Sequence, residues 1–492
     1  LEQYNMSFRP SKYQQAIFDT YKNTKHNIAI SAVPGSGKST TIIELLKFVP
    51  YNRDAIFLAF NKSIVEELEK KVPQRVDVMT IHSLGAKALF REFKGQVEVS
   101  EYKIFRIAKH ISHKFSVDKK KIDSYIFNIS KILDLYRLRL ENNYEAIDTI
   151  ISHYNIDCIG NERVDSIKVF EEYLKYNEEW SNHGAKFTVD FTDMVYLPAV
   201  KNYKLKMYDD VFIDESQDLN AAQQKLVDKI IKSVTGRFVA VGDPRQSIYG
   251  FMSADAEAYS KFAKKPNTIE LPLSYCYRCG KNIVAAANQI WNVIESPDWM
   301  HEGKVHDKGG SIENIKEGDF VLCRNNKPLV ELYFKLLKQE KVAYIKGSEI
   351  GKSIINLIKQ YEHLQKDQLI VSLYDSLSNL HKELSEKGIS KPTAHPRYVS
   401  FSEKIEIIKV VANNYTSTKA ISKAIEKMFS DVSKGIMLSS IHKSKGLEAD
   451  NVYILDISLI PSEYAVQDHE IIQEYNLLYV AITRAKQNLY FI

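Results

Sequence analysis

The sequence predicts an α/β fold built on parallel sheets with helices on their faces, and three observations carry that prediction. A short, apolar, β-branched run, Asn27-Ile-Ala-Ile-Ser31, leads into a Gly-rich turn and then a helical pattern. Strand-like and helix-like segments alternate from residue 27 to 85, as parallel sheets require. A second apolar run, Val211-Phe-Ile213, ends in the acidic pair Asp214-Glu215.

The turn Ala32-Val-Pro-Gly-Ser-Gly-Lys-Ser39 has the chemistry of a phosphate-binding loop. Gly35 and Gly37, with Ser36 between them, let backbone N–H groups wrap closely around phosphate oxygens. Lys38 reaches the β/γ-phosphates, and the Ser39 hydroxyl suits Mg²⁺. A helix from Thr40 to Phe48 turns its positive N-terminal end toward the anion. The usual pattern opens with Gly, and Ala32 stands there instead. At the second strand end, Asp214 is placed to hold Mg²⁺ through water, and Glu215 to polarise an attacking water as general base. The two motifs together define a motor-type nucleoside triphosphatase.

The remaining elements follow in order. Ala55-Ile-Phe-Leu-Ala-Phe60 reads as a strand, Lys62 to Lys70 as a helix, and Val76-Asp-Val-Met-Thr80 as a strand. From Ala86 to Val189 helical periodicity dominates, with Ile122, Ile126, Ile129, Ile132 and Leu133 on one face. Strands resume at Val211 and Arg237-Phe-Val-Ala-Val241. A second α/β region is expected from Leu271. It contains strand Phe320–Cys323, helix Pro328–Gln339, strands Gly435–Ser439 and Asn451–Leu455, helix Gln473–Ala485 and strand Asn488–Ile492. Residues 352–434 read as a mostly helical insertion with a Pro-containing break at Lys391 to Pro396. The expected organisation is therefore 1–85 with 190–270, a helical insertion at 86–189, 271–351 with 435–492, and a small insertion at 352–434.

Composition bounds the function. A chain of 492 residues holds three or more domain-sized units, and 44% hydrophobic content supports real cores. No apolar run approaches membrane-spanning length and no signal-peptide pattern is visible. A net charge of +5 does not announce nucleic-acid binding, so any basic surface is local. Lys103, Arg106, Lys109, Lys114, Lys119, Lys120 and Lys121 crowd one stretch of the insertion, either guiding phosphates or forming a solvated face. Cys158, Cys276, Cys279 and Cys323 are too few for a disulfide scaffold, and a reducing cytoplasmic setting fits. Cys276-Tyr-Arg-Cys279 has the spacing of a zinc or redox half-site, but no second Cys/His pair accompanies it, so no structural zinc is expected. Met6 is expected as the natural start, with residues 1–5 a cloning remnant.

Further blocks resemble, in order, the motifs of UvrD/Rep/PcrA-type helicases of superfamily 1A, from Gln14 to Ile492. Gly242-Asp-Pro-Arg-Gln-Ser-Ile-Tyr-Gly-Phe251 is similar to motif III, Leu273-Ser-Tyr-Cys-Tyr-Arg-Cys279 to motif IV, Ser440-Ile-His-Lys-Ser-Lys-Gly-Leu-Glu448 to motif V, and Leu477-Leu-Tyr-Val-Ala-Ile-Thr-Arg-Ala485 to motif VI. The resemblance implies two RecA-like domains with ATP and Mg²⁺ in a cleft between them. It makes Arg278 and Arg484 the finger arginines, Gln246 the γ-phosphate sensor, Tyr277 the ring stacked on adenine and Glu448 the ribose neighbour. Pro10-Ser-Lys-Tyr-Gln-Gln15 resembles the adenine-reading Q motif, with Gln14 preferred over Gln15. Phe60 and Asn61 fall in motif Ia, Thr80 and His82 in motif Ib, and Tyr249 and Phe251 in motif III. With His442, these are the candidates for the nucleic-acid path, because single-strand motors need stacking platforms and a phosphate track.

There are departures from the pattern. Ser39 and Ser440 replace the commoner Thr, Met252 replaces an Arg after the motif III aromatic, and Tyr475 and Asn476 replace two arginines before motif VI. Residues 351–434 are too few for the usual large 2B subdomain, and the chain stops just after motif VI. The resemblance thus implies a pared-down motor, either naturally small or truncated, that translocates 3′-to-5′ on single-stranded DNA and opens tailed or forked duplexes. Replication, repair or recombination proteins are possible partners, and no membrane is involved. Two alternatives stand beside it: a translocase that strips proteins or needs a partner to unwind, and an ATP-gated nucleic-acid-binding switch.

Overall fold

A computed structural model describes residues 8–119, 121–154, 156, 160–179, 186–248, 257–306, 310–361, 363–386, 391–429, 434–463, 465 and 467–492. Met6, Lys120, Cys158, Tyr249, Phe251 and Met252 lie outside the described residues. The chain divides into two compact units, residues 1–274 and 275–492.

The first unit is organised by a six-stranded, all-parallel sheet. Its strands are β1 (Asn27–Ala32), β2 (Ala55–Ala59), β3 (Val76–Thr80), β6 (Asp210–Ile213), β7 (Arg237–Gly242) and β8 (Thr268–Leu273), in the order β3-β2-β6-β7-β1-β8. Successive strand side chains alternate faces. Phe57, Phe212 and Val239 accordingly join one core, and Ile56, Leu58, Val211 and Phe238 another on the opposite face. Helices on both faces explain why the central strands are continuous apolar runs.

Between β3 and β6 the chain makes a helical body with its own core. Ile126, Ile129, Ile132 and Leu133 are fully buried along the helix Ile122–Leu138, as their spacing predicts, and Ile122 packs at the edge. Two three-residue strands, β4 (Val97–Val99) and β5 (Phe187–Val189), pair in parallel where the chain enters and leaves this body. They are too short for a sequence pattern to show.

At the root of the insertion lies a buried charge cluster that corrects one expectation. Lys103 was expected on a basic surface; it is 2% exposed, and its Nζ donates to Asp193 Oδ2 at 2.6 Å and Asn177 Oδ1 at 2.8 Å. Arg137 is fully buried and donates to Asp193 Oδ1 at 2.7 Å and Asp190 Oδ2 at 2.8 Å, while the Tyr173 hydroxyl donates to Asp193 at 2.5 Å. Burial alone would raise Asp193, but Lys103 and Arg137 outweigh it and hold the carboxyl below its usual range. Arg106, Lys109, Lys114, Lys119 and Lys121 remain exposed. Removing one member of such a cluster leaves a buried charge uncompensated. Arg137→Met is therefore expected to lower unfolding free energy by about 3–5 kcal/mol, read as an earlier midpoint in urea.

The second unit repeats the plan. Its strands are β9 (Lys304–His306), β10 (Phe320–Cys323), β11 (Ala343–Ile345), β12 (Ile436–Ser440), β13 (Ala449–Leu455) and β14 (Ala485–Phe491). They form a parallel sheet in the order β11-β12-β10-β13-β14-β9. The described residues of 348–428 include the α-helices Ser348–Lys359, Lys366–Glu386, Pro396–Ala412 and Thr418–Met428. Leu369, Leu373, Ile405, Ile408, Ile421 and Ile425 from these helices share one core with Val321 and Leu438 of the sheet and Leu329 of the helix Asn326–Lys338. This segment is thus packed into the second unit rather than built around a core of its own.

Three boundaries differ from the sequence reading. Leu271–Leu273 belong to the first unit, as the end of edge strand β8 in register with Ile30–Ala32. Pro272, which lacks an N–H, is tolerated there because an edge strand has a free side. The phosphate-loop helix runs Lys38–Leu46, two residues earlier than expected, because Gly37 already serves as its N-cap. The last helix runs Asp468–Ile482: a reciprocal Gln467–Glu470 capping box starts it early. Thr483 closes it, with its hydroxyl donating to Tyr479 O at 2.8 Å, and Ala485 already pairs with Ala449.

Candidate nucleotide site and nucleic-acid path

The carboxyl ends of parallel strands are where open α/β sheets bind ligands. In the first unit, β1, β6 and β7 bring three loops together at that edge.

After β1, Gly35 and Gly37 adopt φ of 65° and 76°, values that L side chains rarely reach. Gly37 caps the helix without a side chain, leaving the N–H groups of Lys38, Ser39 and Thr40 at an open helix start. Ser36 Oγ is buried and has no hydrogen-bond partner among the described residues. An orphaned hydroxyl beside two left-handed glycines is what a cradle awaiting phosphate oxygens presents, so these residues fit a nucleotide.

Glu215, at the end of β6, is a non-glycine residue at φ 47°, ψ 44°. Such strain costs about 1–3 kcal/mol and collects at functional sites. It directs the carboxylate to Lys38, with Oε1 2.7 Å from Nζ. Burial would lower the Lys38 pKa, but Glu215 and Asp214 outweigh it and keep the ammonium charged. Asp214 continues the β6 ladder through its N–H to Leu58 O at 3.1 Å. Burial and then the Glu215 charge push its carboxyl up to about 7, against the pull of Lys38. A buried carboxyl beside a second acid at a strand end suits a divalent cation.

After β7, Asp243 is buried and accepts from Gln246 Nε2 at 2.9 Å. Gln217 joins the two loops. Its Nε2 donates to Glu215 Oε2 at 2.6 Å, and its Oε1 accepts the Asp243 N–H at 3.1 Å. A Cβ on Gly242 would stand 2.5 Å from that Oε1, so only glycine allows the link. The sequence reading assigned Gln217 no role; its signal was the Gln-Asp pair following the acids.

Gln14 is buried. It completes a capping box with Ser11 and donates from Nε2 to Thr41 Oγ1 at 3.0 Å, on the phosphate-loop helix. Gln15 points outward and bonds Asp19. Of the two register choices, Gln14 is the one that touches the phosphate-loop helix.

In the second unit, Arg278, Glu448 and Arg484 converge around Thr483. Arg278 Nη1 donates to Thr483 O at 3.3 Å, and its Nε lies 2.5 Å from Glu448 Oε2, close enough for ion pairing though not aligned as a hydrogen bond. Lys486 approaches Glu448 Oε1 at 2.8 Å. Arg484 is 2% exposed and donates to Val480 O and Leu447 O, both at 3.0 Å. Tyr277 is half-buried and stacks on the exposed Trp299, with centroids 6.0 Å apart and planes 17° from parallel. Cys276 and Cys279 are buried free thiols; Cys276 Sγ accepts the Cys279 N–H at 3.4 Å, bracing the turn that carries Tyr277 and Arg278. Among the described residues no group of three or more His, Cys, Asp or Glu is arranged to hold a metal.

The nucleic-acid candidates fall into two sets. β2 and β3 pair with Ala59 opposite Thr80, so Phe60 and Asn61 leave the sheet beside Thr80 and His82. Asn61 and Thr80 cap the helices that follow, accepting from Ile64 N at 3.0 Å and Ser83 N at 3.1 Å. Phe60 is 49% exposed, so about half of its surface is open to solvent. His442, in the turn after β12, is pushed down to about 3 by burial and then by Arg324 and Lys443, which favours the neutral imidazole.

The parallel sheet, the glycine turn after β1, the strand-end acid pair and the hydrogen-bonded turn after β7 define a P-loop nucleoside-triphosphatase fold. The model of the UvrD/REP helicase N-terminal domain matches residues 13–267, and that of the UvrD-like helicase C-terminal domain matches residues 331–492. The chain belongs to the UvrD/REP helicase family. It is 24% identical to F-box DNA helicase protein 1 of Schizosaccharomyces pombe, across 97% of this chain and 56% of that protein. It is 25% identical to F-box DNA helicase 1 of Gallus gallus, across 97% and 48%. Against ATP-dependent DNA helicase PcrA of Staphylococcus aureus it is 21% identical, across 96% and 82%. The chain spans about half the length of the F-box relatives. Among the described residues no helix is long and apolar enough to cross a membrane.

Proposed function

We propose that the chain is an ATP-dependent motor that moves along single-stranded DNA, 3′-to-5′, and opens tailed or forked duplexes. The observation that carries the reading is the linked set Lys38–Glu215–Gln217–Asp243–Gln246. It ties the residue that grips phosphate, the candidate base and the candidate sensor into one hydrogen-bonded chain. The backbone of Gly35, Ser36, Gly37, Lys38, Ser39 and Thr40 would hold the phosphates of ATP. Ser39 and Asp214 would hold Mg²⁺, and Gln14, Tyr277 and Glu448 the adenosine. Mg²⁺, when bound, neutralises phosphate charge. Glu215 orients a water and takes its proton, and Lys38, Arg278 and Arg484 supply positive charge as the γ-phosphate leaves.

Lys38 cannot serve phosphate and Glu215 equally well. In this structure it holds Glu215, so nucleotide binding frees that carboxylate for water. The deciding experiment measures ATPase with DNA and RNA oligomers, then unwinding of 3′- and 5′-tailed duplexes. Stimulation by DNA with opening of 3′-tailed substrates is expected; turnover indifferent to nucleic acid refutes the reading.

A second reading is a translocase that strips proteins or needs a replication, repair or recombination partner to unwind. The helices of residues 348–428 favour it, since they are packed into the second unit's core rather than forming a separate duplex-facing body. It predicts DNA-stimulated ATPase with weak opening of forks until a partner is added.

Phe60→Ala is expected to weaken single-strand binding about tenfold, because each base–aromatic stack contributes roughly 1–3 kcal/mol. Its melting temperature and unstimulated ATPase should hold, since the ring is half in solvent. Joint loss of melting and basal turnover would return Phe60 to the core.

A further inference from the structure

The helix Ile81–Glu92 begins at the candidate phosphate contacts and carries cations down its length. Lys87 and Arg91 stand one turn apart on its exposed side. The loop leading into β6 brings Lys204 and Lys206 to the same place, and the four cations rim a cavity of about 130 Å³ with an apolar floor that includes Leu84 and Tyr208. Arg91 Nη1 donates to Lys204 O at 3.3 Å, tying helix to loop. Among the described residues the one acid lining the cavity is Asp77. Its Oδ2 already accepts from Lys206 Nζ at 2.8 Å and the Tyr208 hydroxyl at 2.7 Å. Burial would raise Asp77, but Lys206, Tyr208 and Lys87 outweigh it and hold the carboxylate ionised. Four cations against one carboxylate leave a net positive cavity, and among the described residues Lys87 and Lys204 make no ion pair.

We propose that this cavity extends the single-strand phosphate path: Lys87, Arg91 and Lys204 take backbone phosphates beyond those met at Thr80 and His82. The inference rests on the nucleic-acid reading of Thr80 and His82. Lys87 and Arg91 lie five and nine residues past His82 on one helix, about 8 and 14 Å along its axis. A ligand that reaches both places carries regularly spaced negative charge, which a nucleic-acid strand does by construction. The contacts are to phosphate alone, so they lengthen the footprint without reading sequence.

The test is a salt series of single-strand binding by fluorescence anisotropy, with oligothymidylates of about 6 and about 20 nucleotides, bracketing common single-strand site sizes. The variants are Lys87→Gln/Arg91→Gln/Lys204→Gln and, keeping the Arg91 contact, Lys87→Gln/Lys204→Gln. Each lost phosphate contact flattens the log–log salt slope by about 0.7 for single strands. The triple variant is therefore expected to lose about 2 from the slope on the long oligomer, and the double about 1.4. Short-oligomer binding, melting temperature and unstimulated ATPase should stay as in the parent chain. Unchanged slopes on the long oligomer would show a solvated face and overturn the proposal. So would polyglutamate competing with the long oligomer on the parent chain but not on the variants, since the surface would then serve an acidic protein. Failure of the parent chain to bind the short oligomer would instead overturn the underlying nucleic-acid reading, and the extension with it.

Discussion

Glu215→Gln is expected to slow ATP hydrolysis by about 10²-fold or more, the usual scale for losing a positioned base, while ATP binds at least as tightly as before. The second half follows from the ion pair. Lys38 and Glu215 face each other at 2.7 Å, so in the parent chain phosphate competes with a carboxylate for the ammonium. The amide removes that competitor without changing side-chain length. Gln217 can still donate to the side-chain oxygen it now bonds at 2.6 Å, so the sensor loop stays linked. The left-handed backbone at 215 is kept as well, and the melting temperature should move little. Single-turnover hydrolysis and equilibrium binding of ATP, measured on one preparation, check both halves. Near-normal turnover would remove Glu215 from the role of base. Weaker ATP binding would mean that the pair with Lys38 orders the loop rather than competes with nucleotide.

The glycine turn of the candidate site was legible in the sequence because its backbone requirements are local. A strand, two glycines in left-handed conformation and a helix start follow one another within a dozen residues, and backbone geometry leaves little choice of residue. The acid pair was legible for the same reason, as the polar end of an apolar strand. The link between them was not. Gln217 becomes a bridge only when β6 and β7 pair and bring Gly242–Asp243 beside it, and no spacing in the chain announces that. Lys103 shows the opposite failure. A count of cations suggested a surface, yet the Lys103 partner is Asp193, ninety residues away in sequence, and a charge tally cannot see a buried counter-ion. The last three residues of edge strand β8, Leu271–Leu273, were placed past the unit boundary because the pairing of β8 with β1 spans more than two hundred residues. The exposure of Phe60, which bears on stacking against core packing, is likewise a property of the fold alone.

Arg484→Ala is expected to have the larger effect, removing about 10³ of DNA-stimulated hydrolysis if the guanidinium acts as an arginine finger within the chain. The structure complicates any simple reading of that loss. Arg484 is nearly inaccessible, and its Nε and Nη1 satisfy Val480 O and Leu447 O. Truncation strands two buried carbonyls, at about 1–3 kcal/mol each, so the alanine variant should also melt earlier. Arg484→Lys separates the two effects. An ammonium keeps the charge but lacks the planar fork that spans two acceptors. A finger role predicts that the lysine variant recovers part of the melting temperature, binds ATP and single strands as the parent chain does, and still hydrolyses slowly. Assays well below the melting point of each variant keep unfolding out of the comparison. Normal turnover in the folded alanine variant would leave Arg484 as a brace between the final helix and the turn at Leu447. Normal turnover with weakened single-strand binding would move it to the nucleic-acid path. Slow hydrolysis with intact binding in both variants leaves only the role in which its charge meets the departing phosphate.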